Sequence, residues 1–197
     1  MIKIVVKCGG SNDTTSITND FAKILASGDF SDVTIIAADG TEFKAHKVVL
    51  CARSEVFAAM FCTDCLETNT KRITIEDMNG DILEEMLNYM YTNQIMANDM
   101  ASDLFAAANK YALLDLQRMC ESILMQAMKA NSAADIFVLA DRHANEGLKT
   151  RALQFIAEKI NAVIKTDGWK RLRQMDRDLC IDILEKVIQG RCVKLNT

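Results

Sequence analysis

Proline is absent from all 197 residues, and glycine occurs only eight times. The two strongest punctuators of secondary structure are therefore missing or scarce, and element boundaries must be read from polar clusters. Two histidines, one tryptophan and three tyrosines leave little material for a histidine-based centre. A net charge of −4 offers no attractive field to nucleic acid or to an anionic membrane, so neither is expected as a partner. The chain lacks an apolar run long enough to cross a bilayer. Its first residues, MIKIVVKCGGSND, turn polar too soon for a secretory signal.

What is present is an ordinary globular composition, half hydrophobic and a quarter charged. The cysteines are Cys8, Cys51, Cys62, Cys65, Cys120, Cys180 and Cys192. Their number is odd, and most sit among apolar residues of helical spacing such as Leu50, Met119 and Ile181. Small thiols in a reducing compartment explain this better than a disulfide framework. An intracellular protein, in the cytoplasm or the nucleus, is the expectation.

Residues 1–15 read as an N-terminal extension. MIKIVV has the composition of a short strand without a nearby partner, and CGGSNDTTS has that of a flexible stretch. From Ile17 the pattern is helical, with Ile17, Phe21, Ile24 and Leu25 on one face and Ser16 placed as a cap. The β-branched run DVTIIA, the pair Asp39-Gly40 as a two-residue turn, and an alternating segment over 41–44 predict a β-hairpin. Two short helices follow over 46–52 and 54–61, the second capped by Ser54, then a polar loop over 62–71 and a third strand, RITI, over 72–75.

Beyond that the chain reads as helical. Apolar faces are formed by Ile82, Leu83, Met86, Leu87 and Met90, by Leu104, Phe105 and Ala108, and by Leu113, Leu116, Met119, Cys120, Ile123 and Leu124. A second helical group begins near Asn131 and covers 132–143, 146–160, 169–175 and 178–189, with Gly190 just past the last helix. A small sheet with short helices followed by helices alone is an α+β region joined to an all-α one.

Signatures of chemistry are few. There is no G-x-S-x-G elbow, no phosphate-binding glycine loop and no dinucleotide-binding turn. The pair Cys62 and Cys65 has metal-ligand or redox spacing, but no second close Cys or His pair completes a four-ligand site, and incidental loop cysteines are the simpler reading. No cofactor, metal or catalytic residue is expected. Lys170, Arg171, Arg173 and Arg177 beside Trp169 read as a solvated face with the indole packed inward, because Asp167, Asp176 and Asp178 dilute the charge. His46, between apolar neighbours, reads as a hydrogen-bonded core or capping residue, and His143 as a complement to a helix C-terminus. The methionines at 86, 90, 119, 125 and 128 read as core filler.

The segments FSDVTI (30–35) and EFKAHKVVLCARSEVFAAMF (42–61) resemble the BTB/POZ signature. So do RITIED (72–77), LNYMYT (87–92) and DLFAAANKYALLDL (103–116), in the same order and with similar gaps. NSAADIFVLADRH (131–143), LKTRALQFI (148–156) and DGWK (167–170) resemble the helical extension called the 3-box or BACK region, as found in the speckle-type POZ protein (MATH-BTB) family. The resemblance implies a BTB/POZ domain over 16–128 and a 3-box/BACK-like region over 129–197. Only about fifteen residues precede the BTB region, too few for the substrate-binding MATH domain of that family.

By position, the resemblance implies a homodimer, or a dimer with related BTB proteins, through Ile17, Phe21, Ile24, Leu25 and Val49. It also implies an adaptor that docks a cullin-3 RING ubiquitin ligase and positions an unidentified protein substrate for ubiquitination. The hydrophobic-x-Glu dock of such adaptors falls on Cys65, Leu66 and Glu67, flanked by Phe61 and Tyr91 and extended through the 3-box by Ala133, Ile136 and Ala140. The alternative is an interaction and dimerisation module, such as a transcriptional or cytoskeletal scaffold, that recruits no ligase.

Overall fold

The computed structural model describes residues 14–62 and 71–195. Helix α1 (Thr14–Ser27) leads into a hairpin of β1 (Val33–Ile36) and β2 (Glu42–Ala45), then α2 (Lys47–Arg53) and α3 (Glu55–Cys62). Strand β3 (Arg72–Thr74) precedes α4 (Gly80–Thr92), α5 (Ala101–Lys110) and α6 (Leu114–Ala127). The remaining helices are α7 (Ala133–Arg142), α8 (Glu146–Val163), α9 (Asp167–Met175) and α10 (Arg177–Leu195). This is the expected α+β arrangement, a three-stranded sheet with short helices, continued by an all-α extension.

Strand β1 lies at the centre of the sheet, antiparallel to β2 and parallel to β3, with Ile35 opposite both Phe43 and Ile73. Alternation places Val33, Ile35 and Ile73 inside. The hairpin connection is longer than the Asp39-Gly40 pair suggests. Ala37 N–H bonds Thr41 O at 2.9 Å and Gly40 N–H bonds Ala37 O at 3.0 Å, so Ala38, Asp39 and Gly40 all belong to the loop. Gly40 takes φ +84°, the left-handed residue that closes such a loop. The Asp39 carboxylate accepts from the N–H groups of Thr41 and Gly80, both at 2.9 Å, tying the hairpin to the start of α4.

Helix α4 is the axle of the first region, burying Leu83, Met86, Leu87, Tyr89 and Met90. Ser54 does cap α3: its hydroxyl accepts from Phe57 N–H at 3.2 Å and donates to Tyr111 O at 2.7 Å. Glu85, almost fully buried, accepts from the backbone N–H groups of Met96 and Ala97 and so holds the segment after α4.

The core runs without interruption from the sheet into the extension, where Phe137, Leu148, Ile156, Trp169 and Ile183 continue it. Two polar joints accompany it. Asn145 caps α8 by accepting from Leu148 N–H at 2.8 Å and donates to Glu121 of α6 at 3.1 Å. The His143 ring lies edge-on to Phe105, 5.7 Å between centroids, and accepts from the Asn109 side chain at 3.1 Å.

Three boundaries differ from expectation. Helix α1 begins at Thr14, so Ser16 lies inside it and is no cap. Helix α8 continues to Val163 across a local break at Lys159, where φ is −117°. Helix α10 runs through Gly190 to Leu195, because a single glycine weakens a helix by only about 1 kcal/mol and does not by itself end it. The expected strand MIKIVV lies outside the described residues.

Candidate interaction site

Helix α1 has only a partial berth. It lies along α4, with Leu25 half-buried against the core. The other stripe residues stay open: Ile17 is 64% exposed, and Phe21 and Ile24 are each 38% exposed. On neighbouring α2 the expected Val49, half-buried, and Val48, 74% exposed, both line the same groove. Leu50 sets this orientation, because it is the α2 side chain anchored completely in the core.

Between α1, α2 and the end of α4 lies an open groove of about 400 Å³. Ile17, Phe21, Val48, Val49, Met90 and Tyr91 form most of its wall, and Arg53 stands at one side. The Arg53 guanidinium is fixed there, bonded to Asn93 Oδ1 at 2.8 Å and 5.2 Å from the Tyr89 ring centroid. A wall this apolar, left open to water, is a surface for another apolar surface rather than a reaction chamber.

Polar groups under the groove are fully used. His46 Nε2 lies 2.7 Å from Asp29 O, which can only accept, so the proton is on Nε2. His46 Nδ1 then accepts from the Tyr91 hydroxyl at 2.8 Å, and the Tyr91 oxygen in turn accepts from His46 N–H at 2.8 Å. Burial pushes the Tyr91 hydroxyl up to about 12, which keeps it a donor at neutral pH. The expected core histidine is the one observed, and no lone pair is left for a metal.

The residues expected to meet a cullin scatter. Phe61 is half-buried, stacked on Phe57 at 6.4 Å with Lys47 Nζ 5.1 Å from its centroid. Tyr91 faces the α1 groove instead. Cys65, Leu66 and Glu67 lie outside the described residues. Ala133, Ile136 and Ala140 are interior, at 0%, 5% and 0% exposure, because that face of α7 packs on α8 and α9. They cannot form an outer surface in this conformation. The exposed side of α7 instead contributes Val138, Leu139 and Arg142 to a second groove, of about 420 Å³, with Leu172, Met175 and Leu179 opposite.

The basic cluster beside Trp169 is a solvated face. Trp169 is buried, while Lys170 pairs with Asp167 at 2.8 Å and Arg171 with Asp135 at 2.6 Å on the surface. Cys62 is exposed and Cys120 is buried. Among the described residues no cluster of three or more His, Cys, Asp or Glu is placed to hold a metal ion. No described helix is long and apolar enough to cross a membrane.

Sequence reasoning did not single out Val48 and Arg53, which line the groove, or the exposure of Phe30. Val48 was legible in principle, since fixing Leu50 as the core residue of α2 turns position 48 outward. Phe30 carried no such signal, because an aromatic beside a strand ordinarily reads as core.

Residues 21–128 match the family described as BTB/POZ domain, and residues 132–184 match the one described as BPM/SPOP, BACK domain. The chain is also similar to TD and POZ domain-containing protein 4 of Mus musculus, 39% identical over 157 residues, which is 78% of this chain and 42% of that one. TD and POZ domain-containing protein 1 of Mus musculus is 34% identical over 179 residues, 89% of this chain and 49% of that protein. The chain thus spans about half the length of the relatives it matches.

Proposed function

The chain belongs to the BTB/POZ family, and on that premise we propose that it is a homodimeric adaptor that docks a cullin-3 RING ubiquitin ligase and presents protein substrates to it. A BTB/POZ domain followed by a BACK region of the BPM/SPOP type supports a protein-interaction role. The observation that carries the dimer is the open apolar face of Ile17, Phe21, Ile24 and Val48 around its groove. A second copy covers such a face at no cost in new sequence, and two-fold pairs are the commonest oligomers.

The mechanism is proximity. A substrate and a ligase held on one scaffold meet at an effective concentration set by the scaffold and not by diffusion. The ligase dock is assigned to Cys65, Leu66 and Glu67, beside Phe61. Because Ala133, Ile136 and Ala140 are interior, a 3-box contribution passes to half-buried Val138 and Leu139 and exposed Arg142. Unpaired thiols at Cys51, Cys62, Cys120 and Cys180 fit a reducing compartment, in the cytoplasm or nucleus.

The deciding experiment is binding of the chain to a cullin-3 N-terminal fragment, with Glu67→Lys as the variant and solution mass measured in parallel. Binding lost in the variant supports the dock; binding unchanged removes that loop from it. A second reading, a dimerisation module without ligase recruitment, is favoured by the small Cys65 at the hydrophobic position and by the burial of the 3-box alanines. A stable dimer without measurable cullin affinity would select it.

A further inference from the structure

Phe30 is the most conspicuous misfit on this surface. Its side chain is 95% exposed, and its backbone sits at φ +60°, a left-handed conformation that disfavours a bulky residue. The turn holding it is pinned on both sides. Ser31 N–H bonds Gly28 O at 3.3 Å, Asp32 N–H bonds Ala45 O at 3.2 Å, and His46 Nε2 donates to Asp29 O at 2.7 Å. The Asp32 carboxylate also accepts from Lys47 N–H at 2.8 Å. A strained backbone that displays an aromatic ring to water persists only where its surroundings over-determine it, and such positions concentrate at functional contacts.

The same molecule holds a matching hollow. The groove of about 400 Å³ is joined to the turn by the relay from Tyr91 through His46 to Asp29 O. Turn and groove are therefore neighbours in the fold, and in a two-fold contact that uses both each copy gives a knob and receives one.

Resting on the dimer reading above, we propose that Phe30 of each protomer seats in the α1–α2–α4 groove of a second copy, and that Asp29 beside it meets the partner's Arg53. Charge supports the pairing: the residue preceding the knob is an exposed acid, and the groove's side carries a fixed guanidinium. Area supports it too. An aromatic side chain covers about 150–250 Å² when buried, a substantial part of the roughly 800 Å² per partner of a standard interface. Without Phe30 the open apolar face consists mainly of Ile17, Phe21, Ile24 and Val48, two of which are already more than half covered.

The test is sedimentation equilibrium of the full chain with three sets of variants. Phe30→Gly removes the knob while relieving the left-handed strain, so the expected result is a dimer dissociation constant raised at least tenfold with an unfolding midpoint that does not fall. Asp29→Arg should weaken the dimer by a similar factor, and Asp29→Arg with Arg53→Asp should recover most of it. Phe21→Asp reports on the dimer reading itself. If Phe21→Asp splits the dimer while Phe30→Gly and the charge reversal leave it unchanged, the knob assignment is overturned and the dimer stands. If the unmodified chain is monomeric at every concentration, both fall.

Discussion

The Tyr91 hydroxyl sits 2.8 Å from both the backbone nitrogen and Nδ1 of His46, although the two residues are 45 positions apart. One phenol thereby satisfies a buried donor and a buried acceptor and closes the floor of the α1 groove. Tyr91→Phe should leave both unsatisfied, at about 1–3 kcal/mol, which lowers the unfolding midpoint by roughly 2–10 °C in a chain of this size. Denaturation of the variant beside the parent protein checks it; an unchanged midpoint would mean that water or a neighbour fills the gap.

Val48→Asp should break self-association without harming the fold, because that side chain is 74% exposed in the single protomer, and Phe21→Asp, at 38% exposure, should break it with a small loss of stability. A charge in the centre of an apolar contact should raise the dissociation constant by roughly 30-fold or more, the ~2 kcal/mol typical of an interface hot spot. Solution mass against concentration, with circular dichroism as the control for folding, measures the effect.

Ala112 and Ala144 end α5 and α7 at φ +53° and +50°. In each case the following N–H reaches back to the carbonyl five residues earlier, Leu113 to Ala108 at 2.8 Å and Asn145 to Ala140 at 2.9 Å. Glycine is the residue this cap prefers. Ala112→Gly and Ala144→Gly should each stabilise the protein by about 0.5–1 kcal/mol, additively, in chemical denaturation.

Thiol reactivity should separate the cysteines by burial. Burial pushes the Cys120 thiol up to about 12 and raises that of Cys180, so both should resist alkylation until the protein unfolds. Exposed Cys62 should react in the folded state. Pulsed alkylation read by peptide mass spectrometry decides; early modification of Cys120 would contradict its place in the core.

The Asp39 carboxyl is held below its ordinary value of 3.8, first by the N–H of Gly80 and then by that of Thr41. A lowered folded-state value adds stability that is present above the ordinary value and lost as pH falls through the lowered one. Asp39→Asn should therefore be destabilising at neutral pH and approach the parent protein at strongly acid pH. Denaturation midpoints across that range give the comparison.

Much of this architecture was legible because periodicity is a side-chain property. The stripe of α1, the alternation of β1 and the faces of α4, α5 and α6 can all be read from spacing alone. Helix ends were harder, because a chain poor in glycine closes two of them with Ala112 and Ala144, residues that look like helix interior. Register was also hidden: β3 lies parallel to β1 across an intervening pair of helices, and nothing local encodes that pairing. Positions on α7 misled for a third reason. Ala133 and Ala140 are small enough to suit a surface or a close helix contact equally, and only packing against α8 and α9 distinguishes the two.

The Asn145–Glu121 and His143–Phe105 joints make the seam between the two halves physically different from the seam a family boundary draws. Heated, the molecule should melt in one calorimetric transition and not two. A truncation ending at Met128 should strip the cover from Phe105, leave Glu121 without its amide, and yield a piece that aggregates sooner than the parent. In this chain the extension is a wall of the first domain's house, and removing it takes down both.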